Sequence, residues 1–385
     1  MDPTTQIALV KRVHAHLAAR TTDHDDAPTT RDVAAYVDAK RYEQEIERVF
    51  RGRPLAIGHA SKVAQPGEYF THDASGLPLL VVRGEDGVLR AFKNVCRHRG
   101  TRLEAAPCGR KKAFSCPYHA WSYRSDGSVL AIPHEHGFAG IDKEERALAQ
   151  VDVAEAAGLL WLVPKGQDVK SFLGDTIVRD LDGFGIASGH SYAPHTTTKE
   201  MNWKLTIDVF LEAYHLKPTH RDSIYPIFFD NLGLVDRFGP HLRNVFPKRT
   251  IRELASRPEA EWVLRTHANV LFHLFPNTFI LIEPDHAAVL HLWPLGPTKT
   301  RLDAYMVVPE APTTEKARTY WDANDAILRG AVEEDFTMGE SIQRGFASGA
   351  NHDVVFGAFE HALAHFHREV DRATGQTPDH GGTIT

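Results

Sequence analysis

The stretch from Cys96 to His119 constrains this chain more than any other. It contains Cys96-Arg97-His98 and Cys116-Pro117-Tyr118-His119, two pairs of metal-binding side chains on short loops, separated by a spacer from Arg99 to Ser115. Each pair mixes a thiol with an imidazole. A structural zinc finger keeps both cysteines in one pair and both histidines in the other. Mixed pairs suit an iron–sulfur cluster in which two thiolates hold one iron and two neutral imidazoles hold the other, a substitution that raises the reduction potential. Cys96 and Cys116 are then the thiolate ligands, His98 and His119 the imidazole ligands. Gly100 and Pro117 sit where tight turns are needed to aim each pair inward and bring backbone N–H groups to the sulfurs.

This is the ligand pattern of a Rieske [2Fe–2S] centre. CRHRGTRL together with CPYHAWSY resembles the oxygenase type of Rieske domain, as found in the large (alpha) subunits of Rieske non-haem iron oxygenases, the ring-hydroxylating oxygenase family. Rieske proteins of respiratory complexes carry an extra, disulfide-forming Cys in each loop; here those positions are Thr101 and Tyr118. The resemblance implies a second iron site, a mononuclear Fe(II), further along the chain.

A length of 385 residues suits two domains, each able to bury its own core. The net charge of −6 argues against a nucleic-acid or anionic-membrane partner. No apolar run reaches the length of a bilayer span, and no targeting signal is visible, so a cytoplasmic location is expected. Three cysteines, two of them given to the cluster, fit a reducing compartment, and Cys108 reads as a buried or idle thiol.

The expected fold class is α+β. Residues 1–52 read as N-terminal helices packing on the catalytic domain: an amphipathic helix over Met1 to Arg20, a polar flexible link over Thr21 to Thr30, and a second helix from about Arg31 to Phe50. Residues 53–165 read as a small antiparallel β domain with strands at Tyr69–Thr71, Leu79–Arg83, Val88–Lys93, Ala120–Tyr123, Val129–Ala131 and Leu159–Val163, and hairpin turns at Gly84–Gly87 and Ser125–Ser128. The Arg110-Lys111-Lys112 run reads as a solvated face. Residues 166–385 form the catalytic domain, whose expected strands lie at Val270–Phe275, Thr278–Pro284, Ala288–Pro294 and Arg301–Val308, flanked by helices in a helix-grip-like arrangement. Helices over Thr314 to Ala347 and Phe356 to Ala373 close it, before a frayed tail from Gly375 to Thr385.

A mostly apolar helix over Asn202 to Lys217 carries Asp208, Glu212 and His215 at spacings of four and three, hence on one face. Pro218 ends it and His220 returns after the turn, so two imidazoles can meet one metal ion. Two histidines and one carboxylate are the ligand set of non-haem Fe(II) oxygenases. Glu212 to His220 reads E-x-x-H-x-x-x-x-H, which matches the motif of the Rieske oxygenase catalytic domain; by that resemblance His215 and His220 are iron ligands. Spacing alone leaves the carboxylate open. In family members an acidic pair precedes a Gln-x-Gly on a long C-terminal helix, and Glu334-Asp335 before Gln343-Arg344-Gly345 fits, which points to Asp335 ahead of Glu334, Glu333 or Glu340. His361, His365 and His367 carry no matching carboxylate pattern and read as surface or packing residues.

The resemblance also implies roles and partners. A carboxylate at the position of Glu212 links a Rieske histidine, by analogy His119, to an iron-ligating histidine across the interface of a homotrimer. Many ring-hydroxylating members have Asp there, whereas Glu resembles members acting on quaternary ammonium compounds. Asp208 is a candidate to support the iron ligands. Electrons come from NAD(P)H through a reductase, with or without a ferredoxin, and no nucleotide-binding fingerprint is present, so the reductase is expected to be a separate chain. O2 and a small-molecule substrate meet at the lone iron. An apolar wall of Phe210, Leu211, Phe272, Leu274, Phe279, Leu290, Leu292 and Trp293 suits an aromatic or other hydrophobic substrate. The alternatives are a monooxygenase or demethylase of a quaternary ammonium compound, with Trp203, Tyr214 and Trp293 as candidates for an aromatic cage, and a Rieske electron carrier without a second iron.

Overall fold

A computed structural model describes residues 1–376 of the chain. Residues 377–385 of the expected tail lie outside the described residues. Helices and antiparallel sheets mix in an α+β fold, and the chain separates into two units: Pro54–Phe172, and Met1–Arg53 together with the chain from Leu173 onward.

The Pro54–Phe172 unit is built from short strands: β1 (Leu55–His59), β2 (Glu68–His72), β3 (Leu79–Arg83), β4 (Leu89–Lys93), β5 (Cys108–Arg110), β6 (Ala113–Ser115), β7 (Ser122–Arg124), β8 (Val129–Ala131), β9 (Gln150–Val151), β10 (Val153–Ala156) and β11 (Leu159–Leu162). They form a five-stranded sheet in the order β9-β4-β3-β2-β5 and two three-stranded sheets, β10-β11-β1 and β6-β7-β8, all antiparallel. Strand β3 reads Leu-Leu-Val-Val before Arg83 and is buried on both faces, which suits a central strand. Both hairpin turns form, and in the second the backbone crosses so close to Phe92 that a Cβ on Gly127 would lie 2.5 Å from its ring. Strand β7 starts later than the sequence suggests because Ala120 takes φ 57°, a left-handed turn that the strand cannot include. The strands that pattern reasoning passes over, β1, β5, β6, β9 and β10, are short or rich in small residues. Cys108 lies exposed on β5 rather than buried.

The other unit is organised on a seven-stranded antiparallel sheet of β12 (His190–Lys199), β13 (Leu234–Phe238), β14 (His241–Pro247), β15 (Ala268–Leu274), β16 (Thr278–Ile282), β17 (Ala287–Gly296) and β18 (Lys299–Val308), in the order β12-β18-β17-β16-β15-β14-β13. The first three of these strands escape the sequence reading. Polar residues such as Thr196 to Thr198, Arg243 and Asn244 blur their alternation, which edge and near-edge positions tolerate.

Helix α1 (Pro3–Ala19) forms within the expected Met1 to Arg20 span and starts at an Asp2 cap with Pro3 in its first turn. The Thr21–Thr30 segment is not a loose link: Asp23 takes Arg12 and His16, and Asp25 N–H donates to the Ala358 carbonyl. The expected helix from Arg31 to Phe50 is broken as well. Thr29–Asp32 pairs as a ribbon with Asp353–Phe356, displacing the start of the last helix to α5 (His361–Thr374), and buried Arg31 forks onto Asp371 at 2.5 and 2.7 Å. Asp38 is extended at ψ 121° and caps a new helix through Arg41 N–H, so a capping side chain interrupts the apolar periodicity.

Candidate metal centres

The two Cys/His loops share one backbone design. Cys96 N–H donates to the Thr101 carbonyl at 2.8 Å and Gly100 N–H returns to the Cys96 carbonyl at 3.0 Å; Cys116 N–H donates to the Trp121 carbonyl at 2.8 Å and Ala120 N–H returns to the Cys116 carbonyl at 3.0 Å. The residue four after each cysteine is left-handed, Gly100 at φ 82° and Ala120 at φ 57°. Both thiols are free and buried, inside an apolar cluster that includes Trp121, Tyr123 and Phe114. Tyr123 Oη lies 3.4 Å from Cys96 Sγ and accepts from Arg97 N–H at 2.9 Å. Burial pushes the Cys96 thiol up and the Tyr123 hydroxyl pulls it back. The imidazoles lie further out, His98 half-buried and stacked on Trp121 at 4.9 Å, His119 exposed, with their ring centroids 4.8 Å apart. Two buried sulfurs and two neighbouring imidazoles at the surface fit a [2Fe–2S] cluster whose histidine-bound iron faces outward.

The second set of ligands is assembled from distant segments. The expected helix over Asn202 to Lys217 is two short helices, α2 (Trp203–Asp208) and α3 (Leu216–Thr219). Glu212 accounts for the break. Its carboxylate accepts from the backbone N–H groups of Tyr214 and His215 and from His215 Nδ1, while Asn244 Nδ2 donates to the Leu211 carbonyl, so side chains satisfy groups that a helical ladder would have used. Asp208, Glu212 and His215 therefore do not share a helix face. Helix α4 (Glu315–Phe346) supplies the rest. Leu328, Ala331, Val332 and Asp335 recur at helical spacing and face one cavity. Gln343 Oε1 accepts from Asn202 N–H at 2.8 Å, and a Cβ on Gly339 would come within 2.5 Å of Met201 Sδ, so α4 is braced against the segment that enters α2.

At the centre, Asp335 Oδ1 lies 2.8 Å from His220 Nε2 and 3.3 Å from His215 Nε2. The ligand atoms of His215, His220 and Asp335 all fall within 4.8 Å of one another. Atoms coordinating one first-row ion at about 2.1 Å sit about 3 Å apart when their bonds are perpendicular, so the trio fits a metal. The other nitrogen of each ring is held by a carboxylate: His215 Nδ1 by Glu212, and His220 Nδ1 by Glu334 Oε2 at 2.6 Å, with Ser223 Oγ on the same oxygen at 2.7 Å. Such partners fix the ring and its tautomer and leave Nε2 free to ligate. Burial lowers the His215 pKa, but hydrogen bonds with Asp335 and Glu212 outweigh it and lift the ring to about 10. The carboxylates that hold this proton are the groups that would hold a metal cation in its place, with release of the proton from the ring.

Glu334, weighed in the sequence only as a rival ligand, instead lies against His220 Nδ1, outside the trio. Glu333 pairs with Lys199 and Glu340 accepts from Glu200 N–H, both away from the trio. Asp208 is buried and accepts from Tyr36 Oη at 2.7 Å and lies 3.0 Å from His367 Nε2, so it supports α2 from behind rather than touching the trio. His361, His365 and His367 are packing residues and none is at the surface. No local pattern could have linked Tyr36 to Asp208.

The trio opens onto a cavity lined by Phe210, Phe228, Phe246, Phe279, Leu271, Leu281, Leu290 and other apolar residues, with Glu212 and Asn269. Of the eight wall residues expected, Phe210, Phe279 and Leu290 line it; Leu211, Phe272, Leu274, Leu292 and Trp293 do not. On β15 the expected residues have the wrong parity: Leu271 faces the cavity, whereas Phe272 turns to the opposite face against Phe184. Trp203, Tyr214 and Trp293 do not converge either. Trp203 donates to buried Glu45, Trp293 is buried near His291, and Tyr214 is exposed beside Phe359.

Residues 53–152 match the Rieske [2Fe-2S] domain family, and residues 186–376 match the Ring hydroxylating alpha subunit (catalytic domain) family. The chain is a Rieske non-haem iron oxygenase alpha subunit. As such it is an oxidoreductase whose first domain takes a [2Fe–2S] cluster and whose second belongs to the mononuclear-iron oxygenases. This alpha subunit is 29% identical over 351 residues to the carnitine monooxygenase oxygenase subunit of Escherichia coli (strain K12), covering 86% of this chain and 90% of that one. It is 27% identical over 346 residues to the chloroplastic choline monooxygenase of Beta vulgaris, covering 86% and 74%. The crystal structure of the quaternary ammonium Rieske monooxygenase CntA in complex with L-carnitine has the same fold, with a TM-score of 0.78, 24% identity and coverage of 91% and 96%. Among the described residues no helix is long and apolar enough to cross a membrane.

Proposed function

We propose that this oxygenase hydroxylates a small quaternary ammonium compound, R–H + O2 + 2 e⁻ + 2 H⁺ → R–OH + H2O, with the electrons drawn from NAD(P)H by a separate reductase, directly or through a ferredoxin. The observation that carries the reading is the convergence of His215, His220 and Asp335 on a cavity whose remaining carboxylate, Glu212, and four phenylalanine rings suit a cationic head group. The substrates named for the carnitine and choline relatives support it ahead of the aromatic substrate that the sequence alone favours. Cys96, Cys116, His98 and His119 would hold the cluster, and His215, His220 and Asp335 the single iron. Bound there, these groups supply electron storage and O2 activation. The protein's own part is to keep Nε2 of both histidines bare, through Glu212 and Glu334, and to line the remaining space with residues that exclude water.

Glu212 also stands where a carboxylate could connect His215 to His119 of the partner subunit, which requires a homotrimer. A second reading, hydroxylation of an aromatic hydrocarbon, is favoured by one specific observation: among the described lining residues there is no Lys, Arg, Tyr or Trp, and most are aliphatic or Phe. A screen with a surrogate reductase, scoring product against O2 and NADH consumed, separates the two. Coupled turnover of trimethylammonium compounds is expected, and coupled turnover of aromatic hydrocarbons alone would replace the first reading by the second.

A further inference from the structure

Beside the cavity at the three ligands lies a second, smaller one, about 20 Å³ against about 110 Å³, and the strand register shows how the two are related. Residues directly paired across an antiparallel sheet share a face, and Phe279, Leu290, Ala304 and His195 are paired in that order across β16, β17, β18 and β12. Phe279 lines the first cavity, Ala304 and His195 line the second, and Leu290 between them lines both. Two residues along on the same face, Leu281 lines the first cavity, while Ala288 beside it and Met306 beyond line the second. The opposite wall is divided in the same way. On α4, Ala331 and Asp335 face the first cavity, Asp325 and Arg329 the second, and Leu328 and Val332, about one turn apart, face both. The two cavities are therefore one groove beneath α4, filled at one point by three aliphatic side chains. Beyond that point Ala288 and Ala304 leave the groove open, and Asp325 is paired with Arg329 at 2.5 Å, so the charges there offset one another.

We propose that Leu290, Leu328 and Val332 are the specificity-determining end wall of the substrate chamber: they set the length of the molecule admitted beside the three ligands, and the space behind them is a latent subsite for the aliphatic tail of a longer one. The inference rests on the quaternary ammonium reading for the head group of the substrate; the wall itself follows from the register of the sheet and the spacing on α4. A close-packed wall of this kind discriminates in two ways. Each methylene that fits against it gains about fourfold in affinity, and the first that does not fit must displace packed side chains.

The test is binding to the iron-loaded full chain with O2 excluded, using two homologous series: n-alkyltrimethylammonium ions from ethyl to octyl, followed by calorimetry, and n-alkylbenzenes from ethyl to pentyl, followed by their depletion from the headspace. In the parent chain affinity is expected to rise about fourfold with each methylene until the tail meets the wall, and to rise no further beyond that length. Leu328→Ala and Leu290→Ala should each extend the rise by about two methylenes, so that the longest homologue gained binds about 15-fold more tightly than it does to the parent. In both variants the ethyl homologue, too short to reach the wall, should bind as it does in the parent, which reports an intact fold. Leu281→Ala widens the chamber away from the second cavity and should leave the limiting length unchanged; Ala304→Leu added to Leu328→Ala should fill the second cavity and restore the parent limit. A parent affinity that climbs across the whole of both series overturns the wall, as does a limit moved as far by Leu281→Ala as by Leu328→Ala. If the ammonium ions do not bind but Leu328→Ala extends the limit for the alkylbenzenes, the ammonium reading falls and the wall stands. If the ammonium ions bind with a limit that neither wall variant moves, the wall falls and the ammonium reading stands. If neither series binds, both fall.

Discussion

The two candidate metal centres are built by opposite means. The Cys/His loops are local: each ligand pair lies within four residues, and the turns that present them are closed by backbone hydrogen bonds repeated almost unchanged in both loops. The His215–His220–Asp335 site is assembled across 120 residues of sequence, and side-chain carboxylates rather than backbone groups hold its imidazoles in position. A centre made by backbone geometry depends on conformation at a few positions. One made by side chains depends on every partner in the chain of contacts.

The contrast is sharpest when ligands are removed. In Asp335→Ala, turnover should vanish while the visible absorption of the cluster persists, and iron should fall from about three to about two per chain; loss of the cluster colour in this variant would mean that the centres are not independent. Glu212→Gln keeps a hydrogen-bonding group beside His215 but removes the charge, and should lower turnover by about a hundredfold with iron content unchanged. Normal product formation in it would end the case for Glu212 as more than a turn-forming residue.

The catalytic unit should also carry an acid sensitivity that its fold dictates. Burial holds His273 down to about 3 and His365 to about 4. Both rings stay neutral in the folded protein but take protons in the unfolded chain below about pH 6.5, so the stability they contribute is full above that pH and is lost as pH falls toward 4. Relative to the parent chain, His365→Gln should therefore gain about 1 kcal/mol of unfolding free energy per pH unit as pH falls from 7 to 5, a comparison in which the raised His215 and His220 act alike in both proteins. Glu334→Gln, which leaves His220 an amide oxygen to donate to, should weaken iron retention by about tenfold, read by dialysis against a chelator. The smallest effects belong to the loops. Gly100→Ala should destabilise the cluster domain and Ala120→Gly should stabilise it, each by about 1 kcal/mol in thermal unfolding, because both positions are left-handed and only one holds the residue that favours this.

The same contrast explains what could be read from the sequence. That Cys96, His98, Cys116 and His119 come together was legible because their spacing sets two short loops. The approach of His220 to His215 was legible from the turn at Pro218, but that of Asp335 only through family resemblance, since nothing local ties residue 220 to residue 335. The helix expected over Asn202 to Lys217 failed because Glu212 caps its own turn, and the one expected over Arg31 to Phe50 failed because Asp38 caps another; in both, a short acid competes with a ladder that apolar periodicity alone would extend. The cavity wall failed on β15 by a single step of register, an error that sends every side chain of a strand to the other face.

The cavity has an unequal division of parts. His215, His220, Asp335 and the carboxylates beside the rings come from the turn after α2, from α3 and from α4, which Gln343 and Gly339 brace against the start of α2, whereas Leu271, Leu281, Leu290 and Asn269 come from neighbouring sheet strands. Substitutions on those strands can therefore reshape what the chamber admits while the reactive centre keeps its geometry. Such a chamber can change its diet over evolutionary time one strand residue at a time, without relearning its chemistry.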